Sequence, residues 1–205
     1  MRNIKALAAA FLSVLLLPGC SSPLNGKGSE EDAFDPGAAF PEKVCSADEA
    51  LSWAESQPVV VRRDSDCSSG SEIWDAFYGS VQAGKPASVL CADYYTLDDQ
   101  NIDPELYEAE KDQYPVLFFT LVEYDGSSIT YQCRCSSEET LDSEDTFKYL
   151  LYLPNDMPET AKYRHSDSYV LTDDDSVTWE QIIESMVSSQ FDESVRYHIV
   201  HTDYE

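Results

Sequence analysis

The sequence predicts an α+β domain: a single antiparallel sheet of about five or six strands, with two or three helices packed on one face. Three observations carry this. Capping-box signatures precede apolar stripes at helical spacing. An Asp-Gly pair, Asp125-Gly126, sits between two β-rich runs, as in a two-residue hairpin. The strands cluster between two helices with short connections, which favours antiparallel pairing over a parallel βαβ layout.

Ser46-Ala47-Asp48-Glu49 places a Ser N-cap three residues before a Glu, opening a short helix through Leu51, Trp53 and Ala54 that stops before Pro58. Val59-Val60-Val61 is a brief strand. Ser69-Gly70-Ser71-Glu72 repeats the signature and leads into Ile73, Trp74, Phe77, Tyr78 and Val81, one wide helical stripe closed by Gly84 and Pro86. Ala87–Thr96 is a strand, followed by an acidic insertion from Leu97 to Gln113. Val116–Cys135 is the hairpin. With Asp125-Gly126 at its tip, Phe118 faces Cys133, Val116 faces Cys135 and Val122 faces Ile129. Val116, Phe118, Val122, Ile129, Tyr131, Cys133 and Cys135 then share the better core face. On the other face Leu117, Phe119 and Leu121 oppose Arg134, Gln132 and Thr130, a half-covered surface. Phe147–Leu153 and Ser168–Thr172 add strands. Thr178 with Gln181 makes a third capping box before Trp179, Ile182, Ile183, Met186 and Val187, and Val195, Tyr197 and Ile199 alternate in a closing strand.

The 205 residues are 42% hydrophobic and 12% aromatic, enough for one packed core with appendages. Thirteen basic residues stand against thirty-nine acids, a net charge of −26. That field repels phosphates, so nucleic acid is excluded as a partner.

The start of the chain reads as an export signal over residues 1–19. Arg2 and Lys5 precede an almost unbroken apolar run from Ala6 to Leu17. As a helix the run spans about 18 Å, short of the roughly 30 Å hydrocarbon core, which fits a signal peptide and not a membrane span. No second apolar stretch of about 18 residues follows. The run ends Leu17-Pro18-Gly19-Cys20. This resembles the bacterial lipobox, and the resemblance implies that Cys20 is diacylated and becomes the new N-terminus, anchoring the chain to the membrane on its extracytoplasmic face. Two acyl chains make such attachment stable where one is marginal. Residues 20–43, with Gly26, Gly28, Pro36, Gly37, Pro41 and the trio Glu30-Glu31-Asp32, read as a flexible acidic tether of roughly 25 Å root-mean-square reach. Residues 44–205 form the domain.

Within that domain Trp74-x-x-Phe77, Val81-x-x-Gly84-Lys85, Val89, Tyr95-Thr96, Leu121-Val122-Glu123-Tyr124-Asp125-Gly126 and Tyr131 are similar to a group of uncharacterised Gram-positive surface lipoproteins. The resemblance implies address and fold, and no activity.

With Cys20 lipidated, five cysteines remain, and export permits disulfides. Cys45 and Cys67 both precede helices in loop-like sequence, so a bridge between them is expected, worth roughly 3 kcal/mol by loop closure. Cys133 and Cys135 sit two apart on one strand face, near 7 Å, too far to bridge undistorted. Cys91 is separated from them by the Val116 strand. Cys-x-Cys lacks zinc-ribbon spacing, and a thiol nucleophile would need a histidine base that the sequence does not place. His198-x-x-His201 on a regular strand points its rings to opposite faces. Asp173-Asp174-Asp175 lacks the Gly of a calcium loop and suits a helix N-terminus; Glu138, Glu139, Asp142, Glu144 and Asp145 form another solvated acidic loop. No metal, cofactor or catalytic residue is nominated.

Thirteen tyrosines, including Tyr94, Tyr95, Tyr107, Tyr114, Tyr149, Tyr152, Tyr163 and Tyr169, offer amphipathic contact area. Beside acids they suit a cationic protein or peptide, or a saccharide. The expected function is that of a lipid-anchored extracytoplasmic binding protein that is not an enzyme and uses its half-covered sheet face. The alternatives are an extracellular hydrolase whose site assembles only in three dimensions, and an acidic inhibitor of a basic enzyme.

Overall fold

Helix α1 (Ala47–Ala54) begins where its capping box stands: Ser46 Oγ accepts from the Glu49 N–H at 3.4 Å, and Glu49 accepts from the Ser46 N–H at 3.3 Å. The same reciprocal bonds join Thr178 and Gln181 ahead of α4 (Trp179–Val187). The middle signature does not cap. Ser69 is instead the last residue of a strand, and Gly70 leads into α2 (Ser71–Gln82) at φ 83° with no side-chain cap. A Cβ at Gly70 would lie 2.6 Å from the Val59 carbonyl oxygen, so only glycine permits the close approach. The computed structural model describes residues 38–98, 102–157, 159, 161–187 and 195–204. The expected signal peptide, Cys20 and the tether up to residue 37 lie outside the described residues. Among the described helices none is long and apolar enough to cross a membrane.

The strands are β1 (Val60–Arg63), β2 (Asp66–Ser69), β3 (Ala87–Tyr95), β4 (Val116–Tyr124), β5 (Ile129–Cys135), β6 (Ser143–Phe147), β7 (Tyr149–Asp156), β8 (His165–Thr172) and β9 (Tyr197–Tyr204); α3 (Pro104–Glu110) lies in the acidic insertion. The fold is α+β, but the expected single antiparallel sheet is corrected to two sheets. Six strands run in the order β2-β1-β3-β4-β5-β6, and three in the order β7-β8-β9. The split falls at Lys148, inside what reads in sequence as one strand. Phe147 ends β6 against Ile129 of the large sheet, and Tyr149 opens β7 against Thr172 of the small one.

The large sheet is also mixed. β1 pairs parallel to β3, because β1 first turns back into β2 and α2 then carries the chain over the sheet. The β1–β2 turn is Asp64-Ser65, both at positive φ (49° and 74°), the conformation of a type I′ hairpin, built here without glycine. Asp64 is held by accepting from the Thr96 N–H and hydroxyl.

The β4–β5 hairpin forms, one residue later at its tip than the sequence implies. Asp125 N–H donates to Ser128 O, so Gly126-Ser127 occupy the centre, and Phe118 pairs with Cys135 in place of Cys133. The Asp125 carboxylate explains the shift. It accepts from the backbone N–H groups of Ser127 and Ser128 and from both their hydroxyls, a cage that also lowers its pKa to about 2. A slip of two residues across the pair preserves the faces.

Helices cover both faces of the large sheet, which corrects the expectation of one. On one face α1 sets Ala47, Ala50, Leu51 and Ala54 against Leu90, Ala92, Leu117, Phe119 and Leu121. On the other, Trp74 and Phe77 of α2 join Val60, Val89, Val122 and Ile129, together with Leu150, Tyr169 and Leu171 of the small sheet. Val170, on the opposite face of β8, packs with Val177 and Ile182 of the α4 region.

Residues 38–43, expected as the end of the tether, lie on the domain. Ala38 N–H donates to Ser88 Oγ, Pro41 O accepts from Arg134 Nη2 at 2.6 Å, and the Arg134 guanidinium sits 4.8 Å from the Phe40 ring centroid.

Candidate functional site

The half-covered face of the hairpin is not open where it is most apolar: Leu117, Phe119 and Leu121 are buried beneath α1. The concavity with converging polar groups is on the opposite face. There the ends of β1, β3, β4 and β5 meet β9 across a cleft of about 460 Å³. Part of the hairpin's predicted core face, Phe118, Tyr131 and Cys133, forms one wall together with Thr120, while Val122 and Ile129 stay in the core.

Register places the floor. Arg62 of β1 pairs with Asp93 of β3, and Asp93 with Phe118 of β4; one step along, Cys91 pairs with Thr120 and Thr120 with Cys133. Side chains two apart on a strand share a face, so this grid presents Arg62, Asp93, Thr120 and Cys133 together. Arg62 Nε and Nη2 donate to the two Asp93 oxygens at 2.5 and 2.8 Å, a bidentate pair whose side chains are only about a tenth exposed. Arg62 Nη1 donates to Val200 O at 2.6 Å and to His201 Nδ1 at 3.2 Å. The Arg62 charge therefore ties β9 to the large sheet, and the Asp93 carboxylate holds its pKa above the ordinary value against desolvation.

The opposite wall depends on a bulge. Tyr169 pairs with His201 while Val170 pairs with Ile199, so Val200 is an extra residue in β9. The insertion brings His198 and His201 onto one face, which corrects the expectation that their rings diverge. Both line the cleft. It also turns the Val200 carbonyl toward Arg62. The His201 ring stacks on Trp74 with centroids 4.5 Å apart, and the His198 ring centroid lies 3.9 Å from that of Tyr131.

The protonation states follow from the packing. His201 Nδ1 accepts from Arg62, so Nε2 carries the proton and donates to Asp203 Oδ1 at 3.1 Å. Burial first, then the Arg62 charge, lowers the His201 pKa to about 3. Burial lowers His198 as well. Burial raises the Cys133 thiol, and it pushes Cys91 up to about 12. Burial disfavours the thiolate of both cysteines, and both His201 nitrogens are engaged, so His201 has no free nitrogen to serve either thiol as a base.

The remaining sequence candidates lie elsewhere. All five cysteines from Cys45 onward are free, and the expected Cys45–Cys67 bridge is not formed: Cys45 packs with the α1 cluster and Cys67 with the α2 cluster, on opposite faces of the large sheet. Cys91 and Cys133 are kept two strands apart by Thr120 of β4, as expected. His165 is outside the cleft, its two nitrogens 3.0 Å from Asp156 and Asp167, which raises its pKa. Tyr152 and Tyr169 pack around Tyr78, and Tyr169 also meets Trp74, so these rings do not form one open face. Asp173 pairs with Arg196, and Asp174 accepts from Ser176. Among the described residues no group of three or more His, Cys, Asp or Glu is arranged to hold a metal ion. A second hollow of about 530 Å³ lies between residues 39–43 and α1, lined mainly by Phe40, Trp53 and Phe119.

Sequence reasoning missed Arg62, Asp93, Thr120 and Tyr204. Arg62 follows Val59-Val60-Val61 and Asp93 lies within the Ala87–Thr96 strand; a charged residue at a core-facing strand position was the available signal. No known protein family, curated protein or solved structure matches the chain.

Proposed function

We propose that this chain is a lipid-anchored extracytoplasmic binding protein, moored through Cys20, which holds its ligand in the cleft between the two sheets. The observation that carries the binding reading is the cleft itself: polar groups from β1, β3, β4 and β5 converge with two histidines of β9 on one concave, aromatic-lined surface. Its floor is fixed by the Arg62–Asp93 pair and its wall by the Val200 bulge, so the surface is organised before any ligand arrives. Both His201 nitrogens are bonded, to Arg62 and Asp203, and a ring so engaged has no free position to act as a base, which supports binding over the hydrolase reading. The sequence Leu17-Pro18-Gly19-Cys20 after a twelve-residue apolar run supports the anchor.

The three histidines make a built-in reporter. His198 and His201 line the cleft and His165 does not. In ¹H–¹³C spectra of the full chain titrated with a fragment library, binders are expected to move the His198 and His201 ring signals and leave His165 in place. Binders that move only His165, or turnover of a library member, would overturn the reading. The anchor is tested separately by intact-mass measurement from the native host. The expected product starts at Cys20 and carries two acyl chains, and Cys20→Ser is expected to release the protein from the membrane fraction. An unacylated chain retained in the cytoplasm refutes the anchor.

A further inference from the structure

The geometry points to an uncharged saccharide as the ligand of the inter-sheet cleft, its ring faces stacked on tyrosines and its hydroxyls bonded to threonines and the Arg62–Asp93 pair. This inference rests on the binding reading above and gives it a ligand class.

The argument begins with charge. The chain carries −26, yet the cleft's charged lining residues are Arg62 and Asp93, which neutralise each other. Burial keeps His198 and His201 uncharged and the Cys133 thiol and Tyr131 phenol protonated. A protein with thirty-nine acids thus lines this cleft with no unmatched carboxylate. An anionic ligand would approach against the protein's field and find Arg62 already matched, with four of its five N–H groups engaged internally. A cationic ligand would give up water for a site with no free counter-charge, while carboxylates abound outside.

Shape and hydrogen bonding then separate the neutral ligands. A wholly apolar molecule would cover the hydroxyls of Ser65, Tyr95 and Tyr204 at about 1–3 kcal/mol for each one buried without a partner, whereas Thr120 and Thr202 already bond Asp93 and Ser168 and keep further lone pairs for a ligand. A polyol answers them, because hydroxyls on both sides can rotate to donate or accept. The flat C–H faces of sugar rings meet the cleft's aromatic walls. Tyr204, 37% exposed, is held in orientation by stacking on Tyr163 with centroids 4.8 Å apart, and Tyr163 is fixed in turn by donating to Asp66. Tyr95 packs edge-on against Phe118. The cleft of about 460 Å³ falls within the roughly 300–1,000 Å³ typical of small-ligand sites.

The test uses the full chain and isothermal titration calorimetry with three neutral tetrasaccharides (chitotetraose, cellotetraose and maltotetraose), tetragalacturonate as the anionic probe and tetralysine as the cationic one. Titrations run at about 20 mM and about 500 mM salt, since screening weakens ionic binding and spares neutral binding. At least one neutral tetrasaccharide is expected to bind with salt-independent affinity. Tyr204→Ala should weaken it about tenfold or more, as loss of a stacking anchor does, while Tyr149→Ala, on β7 outside the cleft, should leave it unchanged. Failure of all three neutral sugars, with tetralysine or tetragalacturonate binding in a Tyr204-dependent way, overturns the ligand class and leaves the cleft as a binding site. A neutral sugar whose affinity ignores both Tyr204→Ala and Tyr95→Ala overturns the cleft itself. Absence of binding by every probe overturns the saccharide assignment.

Discussion

Replacing Arg62 with methionine removes one half of a buried, bidentate ion pair and leaves Asp93 without its counter-charge on the cleft floor. Breaking such a pair from one side costs about 3–5 kcal/mol, because the surviving charge stays desolvated. The site adds a second loss: Val200 O and His201 Nδ1 lose their donor, so the tie between β9 and the large sheet goes as well. In a domain of this size 1 kcal/mol corresponds to about 2–4 °C in Tm, so Arg62→Met is expected to lower Tm by roughly 6–20 °C. The double variant Arg62→Met/Asp93→Leu removes both charges and should recover much of the loss, giving a coupling energy of about 2 kcal/mol or more. Urea denaturation followed by circular dichroism measures all four corners of the cycle. A single-variant cost below about 1 kcal/mol, or additivity in the double, would refute the claim that this pair is desolvated and joins the sheets.

Three further outcomes are expected. For His201 the native pKa, about 3, lies below the unfolded value of 6.5, so between these limits the unfolded chain holds a proton that the native chain lacks. Stability should fall as pH drops through that window, by on the order of 1.4 kcal/mol per pH unit from this group, and His201→Gln should reduce proton uptake on unfolding at pH 5 by about one. His198 acts in the same sense, whereas the raised His165 gives stability that is present in acid and lost as pH rises through its native pKa; an unchanged proton uptake in His201→Gln would defeat the assignment. Gly70→Ala forces a Cβ to within 2.6 Å of Val59 O at φ 83° and should cost about 1–3 kcal/mol in urea denaturation; a neutral effect would contradict the close approach. Arg196 bonds Asp145 and Asp173 in an exposed setting, so Arg196→Met should cost no more than about 1 kcal/mol by the same assay, in contrast to Arg62→Met.

The cleft rests on strand pairings between segments far apart in the chain. Arg62 and Asp93 are 31 residues apart, and Arg62 and His201 are 139 apart. No window of local sequence contains either relationship. Asp93 lies in a strand that the sequence does reveal, but its partner depends on β1 lying parallel to β3, and that follows from the β1–β2 turn at Asp64-Ser65, which lacks the glycine that usually marks such turns. The two histidines illustrate the same limit. Alternation along a regular strand separates their rings, and one bulged residue reunites them.

The sequence by itself determined the elements whose causes are local: α1 and the start of α4 through reciprocal caps, the α2 stripe around Trp74 and Phe77, and a hairpin near Asp125-Gly126 with its side chains divided correctly between two faces, though not which face is the more buried. Each depends on contacts within a few residues, so the signal is complete in a short window. The tertiary structure alone decided the division into two sheets at Lys148, the parallel placement of β1, the separation of Cys45 from Cys67, and the cleft. Those features depend on which buried surfaces meet, and backbone groups near Val200 and Lys148 bond according to the strand that arrives beside them, a choice made by the packing of the whole domain.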